Sequence, residues 1–585
     1  MDNIYKIHKM KKLIAAARGD IKSEKVIKGA RIANVFSFEF EEADVAIVGD
    51  TIVGVGTRYD AEEIIDASGC IITPGLIDGH IHIESSFLTP SSFAEAVIPH
   101  GTTSVFVDPH EIANVAGLEG IIAMTKSTTN LPMDFYFGVP SCVPASNFET
   151  CRHSIEAVDI TEMLESGICH HLGEMMNFPA VIRGDKSVLR KIIAANAFNR
   201  PKPAHAPLVS GKELCAYLIS GCDADHESSF YFEAIEKLRR GMWVMIRQGS
   251  TARNLEPLLE ILKENPNRAS LCMVVSDDLS VESILEHGHQ DMKIRMMINT
   301  GIDPLIALRL VTLSPSQYFG IGRVGGIAPG WKADLVIVDS LESFNVKKVF
   351  KNGNLIVDNA ELRVSLSGFS FPDIPKNKLV DLKPSDIKIP IGDRSYDNPI
   401  RVIGTEKGAL LTRELIMRPT IIDGHVVADP ERDISKLVVQ ERHIGSGRVG
   451  VGFVKGLGIK KGALASSIAH DSHNFIAAGA DDISILSAME WLRINEGGVV
   501  VSEGNDILAN LQLPIGGLMS NESASSVADS LRQVEEAAAS IGITGNHACM
   551  VLSFLSLSVI PKIKLTDKGY VSITENAVLD LFVSQ

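Results

Sequence analysis

Residues 74–84 read Pro74-Gly75-Leu76-Ile77-Asp78-Gly79-His80-Ile81-His82-Ile83-Glu84. Side chains two apart share a face of a β-strand, so His80 and His82 at a strand end would aim two imidazoles at one point. That geometry lets a short piece of chain grip a metal ion. An isolated His-x-His is more often a hydrogen-bonded pair at a turn, so the assignment depends on ligands arriving from elsewhere in the chain.

Downstream of this stretch, apolar strands alternate with helical stretches. The candidate strands are His80–Glu84, Thr103–His110, Phe135–Cys142, Ile168–Glu174, Pro203–Pro207, Cys222–His226, Trp243–Gln248 and Leu271–Asp277. Eight strand–helix units predict a (β/α)₈ TIM-like barrel, with its active site at the carboxyl ends of the strands. One connection is predicted closely: Ser210 and Glu213 form a capping-box pattern, and Gly221 suits the position past the helix end.

The residues at those ends decide the chemistry. Strand one ends with His80 and His82, strand four with Glu174, strand five with His205, strand six with His226 and strand eight with Asp277. Imidazoles and carboxylates suit divalent transition metals, and six of them at one mouth are enough for two ions. Any one of them alone would more readily be structural, His205 especially, since it sits between prolines.

Outward from the barrel, residues 25–73 read as short strands with a hairpin turn at Gly49-Asp50. The same style returns at 333–339 and 346–356, where Asn352-Gly353 marks a turn. The expected fold class is therefore α/β, with a small β-sandwich built from both flanks of the barrel and a C-terminal α/β (α+β) domain. The expected divisions are 1–73 (a helix and the first part of the sandwich), 74–322 (barrel), 323–367 (second part of the sandwich) and 368–585. Residues 371–399 read as a linker, followed by strands near 409–412 and 499–501 and helices near 483–492 and 525–540.

Composition limits the partners. The 585 residues carry 72 acidic against 56 basic side chains, a formal net charge of -16. Such a surface repels phosphate backbones, so a small-molecule substrate is expected and nucleic acid is not. Eight cysteines without Cys-x-x-Cys spacing read as buried thiols in a reducing compartment. Neither a signal peptide nor an apolar run of membrane-spanning length is apparent, which makes a cytoplasmic protein with no membrane partner the expectation.

Taken together, the residues carry a family resemblance. Pro-Gly-Leu-Ile-Asp-Gly-His-Ile-His, with single histidines on strands five and six and an aspartate on strand eight, resembles the amidohydrolase superfamily. Within it, His82-Ile-Glu-Ser-Ser86, Asp108-Pro-His-Glu-Ile-Ala-Asn-Val115, Gly173-Glu-Met-Met-Asn-Phe-Pro179, Ala469-His-Asp-Ser-His-Asn474 and Leu513-Pro-Ile-Gly-Gly-Leu-Met-Ser520 are similar to the bacterial-type adenine deaminases. The resemblance extends over essentially the whole chain.

It implies hydrolytic deamination of adenine to hypoxanthine and ammonia by a metal-activated hydroxide in a binuclear site, within purine salvage or catabolism. Relatives that bridge two metals with a carboxylated lysine on strand four differ here, because 168–177 contains no lysine. Glu174 is the bridging carboxylate the resemblance implies. A cyclic amidohydrolase of the hydantoinase or dihydroorotase kind is the alternative, and a non-catalytic barrel scaffold the other. Deaminases of the unrelated zinc fold require Pro-Cys-x-x-Cys, which is absent. Mixed ligation accommodates zinc, manganese or iron, and only the resemblance favours manganese or iron.

In this scheme Asp277 accepts and redelivers the proton of the attacking water. His110 and Glu111 are equally suited to contacting the purine or relaying protons and to forming a solvated loop pair. Glu227 and Arg247 are candidate substrate contacts, with barrel-rim salt bridging the more ordinary role. Ser85 and Ser86 are expected to cap the first loop, and Gly516-Gly517 to make a turn. His470 and His473 are expected in a structural or interface role. A multi-domain enzyme of this kind is expected to be a homo-oligomer.

Overall fold

The computed structural model describes residues 2–583 except 251, 367–369, 406–410 and 545–547. The division expected at 367/368 and the first residues of the strand expected at 409–412 therefore lie outside the described residues. The strand in that region runs Thr412–Met417.

Eight parallel strands form the barrel: Leu76–His82, Thr102–Val107, Asp134–Val139, His171–Leu172, Pro203–Ala204, Ala224–Asp225, Trp243–Arg247 and a last one in two pieces, Cys272–Val275 and Asp277–Asp278. Strands one to four pair in order, as do five to eight. Two further pairings close the ring. Asp277 and Asp278 pair with Ile81 and His82 of strand one. Between strands four and five, Leu172 N–H donates to Pro201 O and Met175 N–H to Pro203 O, each at 3.1 Å.

Strand one begins and ends earlier than its expected span. All seven of its residues are buried, and the chain leaves it at Ile83 in a short 3₁₀ turn, Ile83–Ser86. Ser86 closes that turn by donating to Ile83 O at 2.6 Å, while Ser85 reaches across to Asp278 Oδ1 at 2.5 Å. The capping box expected at Ser210 does not form. The helix Gly211–Ile219 starts with no side-chain cap from Ser210, and Gly211 N–H donates to Glu236 Oε1 at 2.9 Å instead.

The flanking sandwich joins both sequence segments. Ile71–Pro74 pairs with Arg31–Asn34 on one side and Leu335–Val338 on the other, inside a seven-stranded sheet that faces a four-stranded one. Between them lie Ile27, Ile47, Ile72, Leu335 and Phe350, all fully buried. The Asn352-Gly353 turn takes φ of 50° and 74°, the pair of positive values that a two-residue hairpin with the right twist requires.

The C-terminal region is built on an eight-stranded, mostly antiparallel sheet. Strand parity assigns its two faces. Val438, Ala465, Ala477 and Val500 pack beneath the helix Asp482–Ile494. Val439, Leu464, Ile476 and Val501 belong to the core that also holds Val527 and Leu531 of the helix Ala524–Ser540 and the barrel interior. The stretch expected as a linker carries a 3₁₀ turn at Pro384–Ile387 and lies against this domain, with Lys378 N–H donating to Arg442 O at 2.8 Å.

This domain sits on the barrel mouth. The long loop after barrel strand three is its landing: Thr150 donates N–H and Oγ1–H to Asp567 at 3.1 and 2.6 Å, Asn474 Nδ2 to Thr150 O at 3.1 Å, and Arg152 Nη1 to His443 O at 2.6 Å. Glu149 lies buried in the same interface. Burial, then the Asp471 and Asp567 charges, push its carboxyl up to about 8 despite the nearby Ser558 and Ser472 hydroxyls.

A carboxyl raised in the folded state favours folding fully below its unfolded value, and that contribution is lost as pH rises through the folded one. At about 1.4 kcal/mol per pH unit, Glu149→Gln should remove a pH-dependent loss on the order of 4 kcal/mol. The expected result is a thermal midpoint matching the parent near pH 4.5 and exceeding it by roughly 3 °C at pH 9. Parallel thermal melts across that range check it, and parallel curves would refute it.

Not every cysteine is buried: Cys215 is exposed and Cys70 half-buried, while all eight are free thiols. Among the described residues no helix is long and apolar enough to cross a membrane.

Candidate metal centre and active site

The barrel's strand ends deliver their side chains to one point. His80 and His82 point inward together because they are two apart on strand one. Asp277 arrives opposite them with φ of 64°, a left-handed backbone that a non-glycine residue adopts only where its surroundings hold it there. Its Oδ1 lies 3.3 Å from both His80 Nε2 and His82 Nε2.

Glu174 spans two groups of imidazoles. Its Oε1 lies 3.3 Å from His82 Nε2, and its Oε2 lies 3.0 Å from His205 Nδ1 and 3.1 Å from His226 Nε2. One carboxylate thus presents one oxygen to each side. All six side chains are buried except His205, which is partly accessible.

These contacts are not an ordinary hydrogen-bond network. His80 Nε2 and both ring nitrogens of His226 are buried and make no hydrogen bond among the described residues, although carboxylate oxygens stand 3.3 and 3.1 Å from the two Nε2 atoms. Buried polar atoms left in this state are costly, and lone pairs that converge on a shared centre are what a cation needs. The residues fit a divalent metal. Triads that could hold one include His80–His226–Asp277, His80–His82–Glu174 and Glu174–His205–His226.

Three carboxylates that sequence reasoning missed orient these ligands. Asp108 accepts the Glu174 N–H at 2.6 Å, and its carbonyl accepts from His82 Nδ1 at 3.0 Å, leaving the His82 Nε2 lone pair facing the centre. Asp225 accepts the Ala206 N–H at 2.8 Å and is paired with the fully buried Lys237 at 2.8 Å, fixing the chain beside His205 and His226. Asp78 accepts N–H groups from His80 at 3.2 Å and Ser276 at 3.1 Å, and His289 Nε2 stands 2.9 Å away. It locks strand one to strand eight beneath the ligands. Each lies within two residues of a ligand or of His110, in or just past an apolar strand, and that adjacency was the available signal.

Electrostatics hold the two carboxylates of the centre ionised. Burial pushes the Glu174 carboxyl up, but the His226 charge and contacts from His205, His226 and His82 outweigh it and keep it well below the usual range. Burial acts likewise on Asp277 and is outweighed by Arg247 and the strand-one histidines. His205 is pushed up to about 9, because Glu227 and Glu174 overcome its burial.

The other candidate residues fall into two groups. Arg247 Nη1 donates to Asp277 Oδ2 at 2.9 Å and also pairs with Glu227, Nη2 meeting Glu227 Oε2 at 3.1 Å. That is salt bridging at the mouth, with Glu227 Oε1 also 3.6 Å from His205 Nδ1. His110 and Glu111 are not a solvated loop pair. They open the helix His110–Ser127 and are buried, with His110 Nδ1 3.6 Å from Glu174 Oε1 and His110 Nε2 3.4 Å from Glu111 Oε1. The strand-two exit is covered by the C-terminal domain, which excludes the water a loop pair would have had.

His470 and His473 lie where that domain meets the mouth. His473 Nε2 is hydrogen-bonded to Glu111 Oε2, and His470 Nδ1 stands 3.6 Å from Glu111 Oε1. A structural or interface role was expected of them, yet they touch a group that in turn touches His110. Gly516 and Gly517 do make a turn, both at positive φ. A side chain on Gly516 would meet Ile112 and Val115 of the helix that starts at His110.

Comparison with known proteins bears on the whole chain. Residues 71–356 match the model described as amidohydrolase family, and residues 409–577 the model described as adenine deaminase C-terminal domain. The adenine deaminase of Thermosipho africanus (strain TCF52B) is 39% identical over 581 residues, covering 98% of this chain and 100% of that protein. The one from Desulfatibacillum aliphaticivorans is 41% identical over 576 residues, covering 97% and 99%. That from Archaeoglobus fulgidus (strain ATCC 49558 / DSM 4304 / JCM 9628 / NBRC 100126 / VC-16) is 42% identical over 577 residues, covering 98% of each.

Proposed function

The chain belongs to the adenine deaminase family of amidohydrolases, and from that premise we propose how its barrel mouth performs the hydrolysis of adenine and water to hypoxanthine and ammonia. The observation that carries the proposal is Glu174, with one oxygen toward His82 and the other toward His205 and His226. Its place just past strand four, in a stretch (168–177) that holds no lysine, favours a carboxylate-bridged pair of divalent ions.

His80, His82, Glu174, His205, His226 and Asp277 would hold the two ions, manganese or iron by family likeness, with zinc also suited to the donors. Such ions supply Lewis acidity that brings a water's proton within reach of a side-chain base at neutral pH. Asp277 is that base. Arg247 Nη1 occupies its Oδ2, so Oδ1, facing the histidines, receives the proton. Attack falls on the ring carbon bearing the exocyclic amine, and the proton held on Asp277 passes to the departing nitrogen.

His110 is the second proton-bearing group. Burial lowers its affinity for a proton, but the Glu111 and Asp108 carboxylates beside it dominate and hold it well above the usual imidazole range. Its ring N–H is positioned to stabilise the negative charge that develops on the purine. Glu111 and the Glu227–Arg247 pair line the approach and contact the base. The working unit is a homo-oligomer in the cytoplasm, with adenine as the partner and no nucleic acid.

The test is a panel of free purines and pyrimidines assayed for ammonia, with metal measured on the same sample. Ammonia from adenine at about two metals per chain is expected. Prolonged chelation should lower the rate at least about 100-fold, and added Mn²⁺ or Fe²⁺ should restore it. Opening of hydantoins or dihydropyrimidines with adenine left intact would overturn the proposal.

A further inference from the structure

Beside the exit of strand one, next to the ligands His80 and His82, lies a cleft whose far wall belongs to the C-terminal domain. Phe87, Glu84 and Glu111 face it from the barrel, and Ile468, Leu518 and Met550 from the other side. Apolar surfaces on both flanks with a few buried polar groups between them suit a planar aromatic base. Glu84 adds a buried carboxylate to this wall: it is 2% exposed, Oε1 accepts the Ile112 N–H at 3.2 Å, and Oε2 has no hydrogen-bond partner among the described residues.

Glu111 is a second buried carboxylate on this wall, and the C-terminal domain holds it. Ala469 N–H points at His473 Nδ1 at 3.3 Å, so the single proton of a neutral His473 sits on Nε2. That N–H is donated to Glu111 Oε2. The remaining oxygen, Oε1, lies 3.4 Å from His110 Nε2 and 3.6 Å from His470 Nδ1, too long for strong bonds, and keeps acceptor capacity.

We propose that the C-terminal domain completes the substrate site, with His473 as a positioning residue that fixes Glu111 to accept an N–H of adenine while Ile468, Leu518 and Met550 cover the ring. The inference rests on the adenine deaminase reading above. It gives the domain a part in substrate binding rather than in stability alone. Removal of His473 would release the carboxylate into alternative rotamers and weaken binding of substrate and product alike, with a smaller effect on kcat through His110, 3.4 Å from Glu111 Oε1.

The experiment uses the full-length, metal-loaded protein. Parent, H473F, H473Q, E111Q and the E111Q/H473F double variant are assayed for KM and kcat with adenine, for inhibition by hypoxanthine, and for metal content. H473F should raise both KM and the hypoxanthine inhibition constant by roughly ten-fold, with kcat within about three-fold and metal content unchanged. H473Q, whose amide can still donate, should recover most of the loss, and the double variant should bind no worse than E111Q alone.

Unchanged KM and inhibition constant in H473F would overturn the proposal. So would a loss confined to kcat and metal content, or additive effects in the double variant. If H473F does not fold, E111Q decides: a ten-fold weaker hypoxanthine inhibition supports the proposal and an unchanged constant refutes it. Failure of the parent to release ammonia from adenine refutes the underlying reading instead, before any variant is made.

Discussion

Asp277→Asn should lower kcat for adenine deamination by about 10³- to 10⁴-fold, at the upper end of what a positioned proton-transfer group contributes. The amide keeps the side chain's shape but cannot hold the proton that Oδ1 is proposed to receive. It also leaves Arg247 without one of its two carboxylate partners. Metal should fall by no more than one ion per chain, since the set of Glu174, His205 and His226 is untouched. Ammonia release followed over long incubations, beside metal analysis, reads both quantities. Deamination at the parent rate would sink the assignment of Asp277 as the base.

Glu174→Gln is expected to strike the metal first. Burial penalises its charge, and His226, His205 and His82 around it outweigh that penalty. The glutamine cannot bridge as a carboxylate, and it removes the one anion that stands within about 3 Å of His82, His205 and His226 alike. Metal content should drop from about two per chain to one or fewer, and the rate by at least about 10³-fold. Excess Mn²⁺ should restore little. Circular dichroism separates this from unfolding, because the Asp108 contact to the Glu174 backbone N–H survives the substitution. Two metals per chain and a near-parental rate in this variant would eliminate the carboxylate bridge.

How much of this is legible in the sequence depends on how locally each feature is encoded. The barrel strands stand out because parallel strands buried on both faces read as short continuous apolar runs, and those at Trp243–Arg247 and Cys272–Val275 are of this kind. Their boundaries were less legible. Strand one starts at Leu76, not His80, because its pairing with strand two, and not its own composition, sets where the sheet begins. The Ser210 capping box failed for a similar reason: a distant Glu236 satisfies the helix N-terminus that a local rule assigns to the neighbouring side chain.

The supporting carboxylates show the same division. Nothing in Asp78-Gly79-His80 says that Asp78 reaches Ser276, nearly two hundred residues away along the chain. Nor does Asp108-Pro109-His110 say that one aspartate holds both His82 and Glu174. Such partners are fixed by ring closure, which brings strand eight beside strand one.

The sequence by itself therefore determined the class of fold, the family and the six candidate ligands. Those features are written in local periodicity and in residue type at strand ends. Tertiary structure alone decided that Glu174 faces two sets of imidazoles at once and that Glu111 is buried. It also decided that His473, 362 positions away in the chain, is hydrogen-bonded to Glu111. A hydrogen bond needs its donor within about 3 Å whatever the sequence separation. Only the docking of one domain on the mouth of another brings those atoms together, and no local pattern records it.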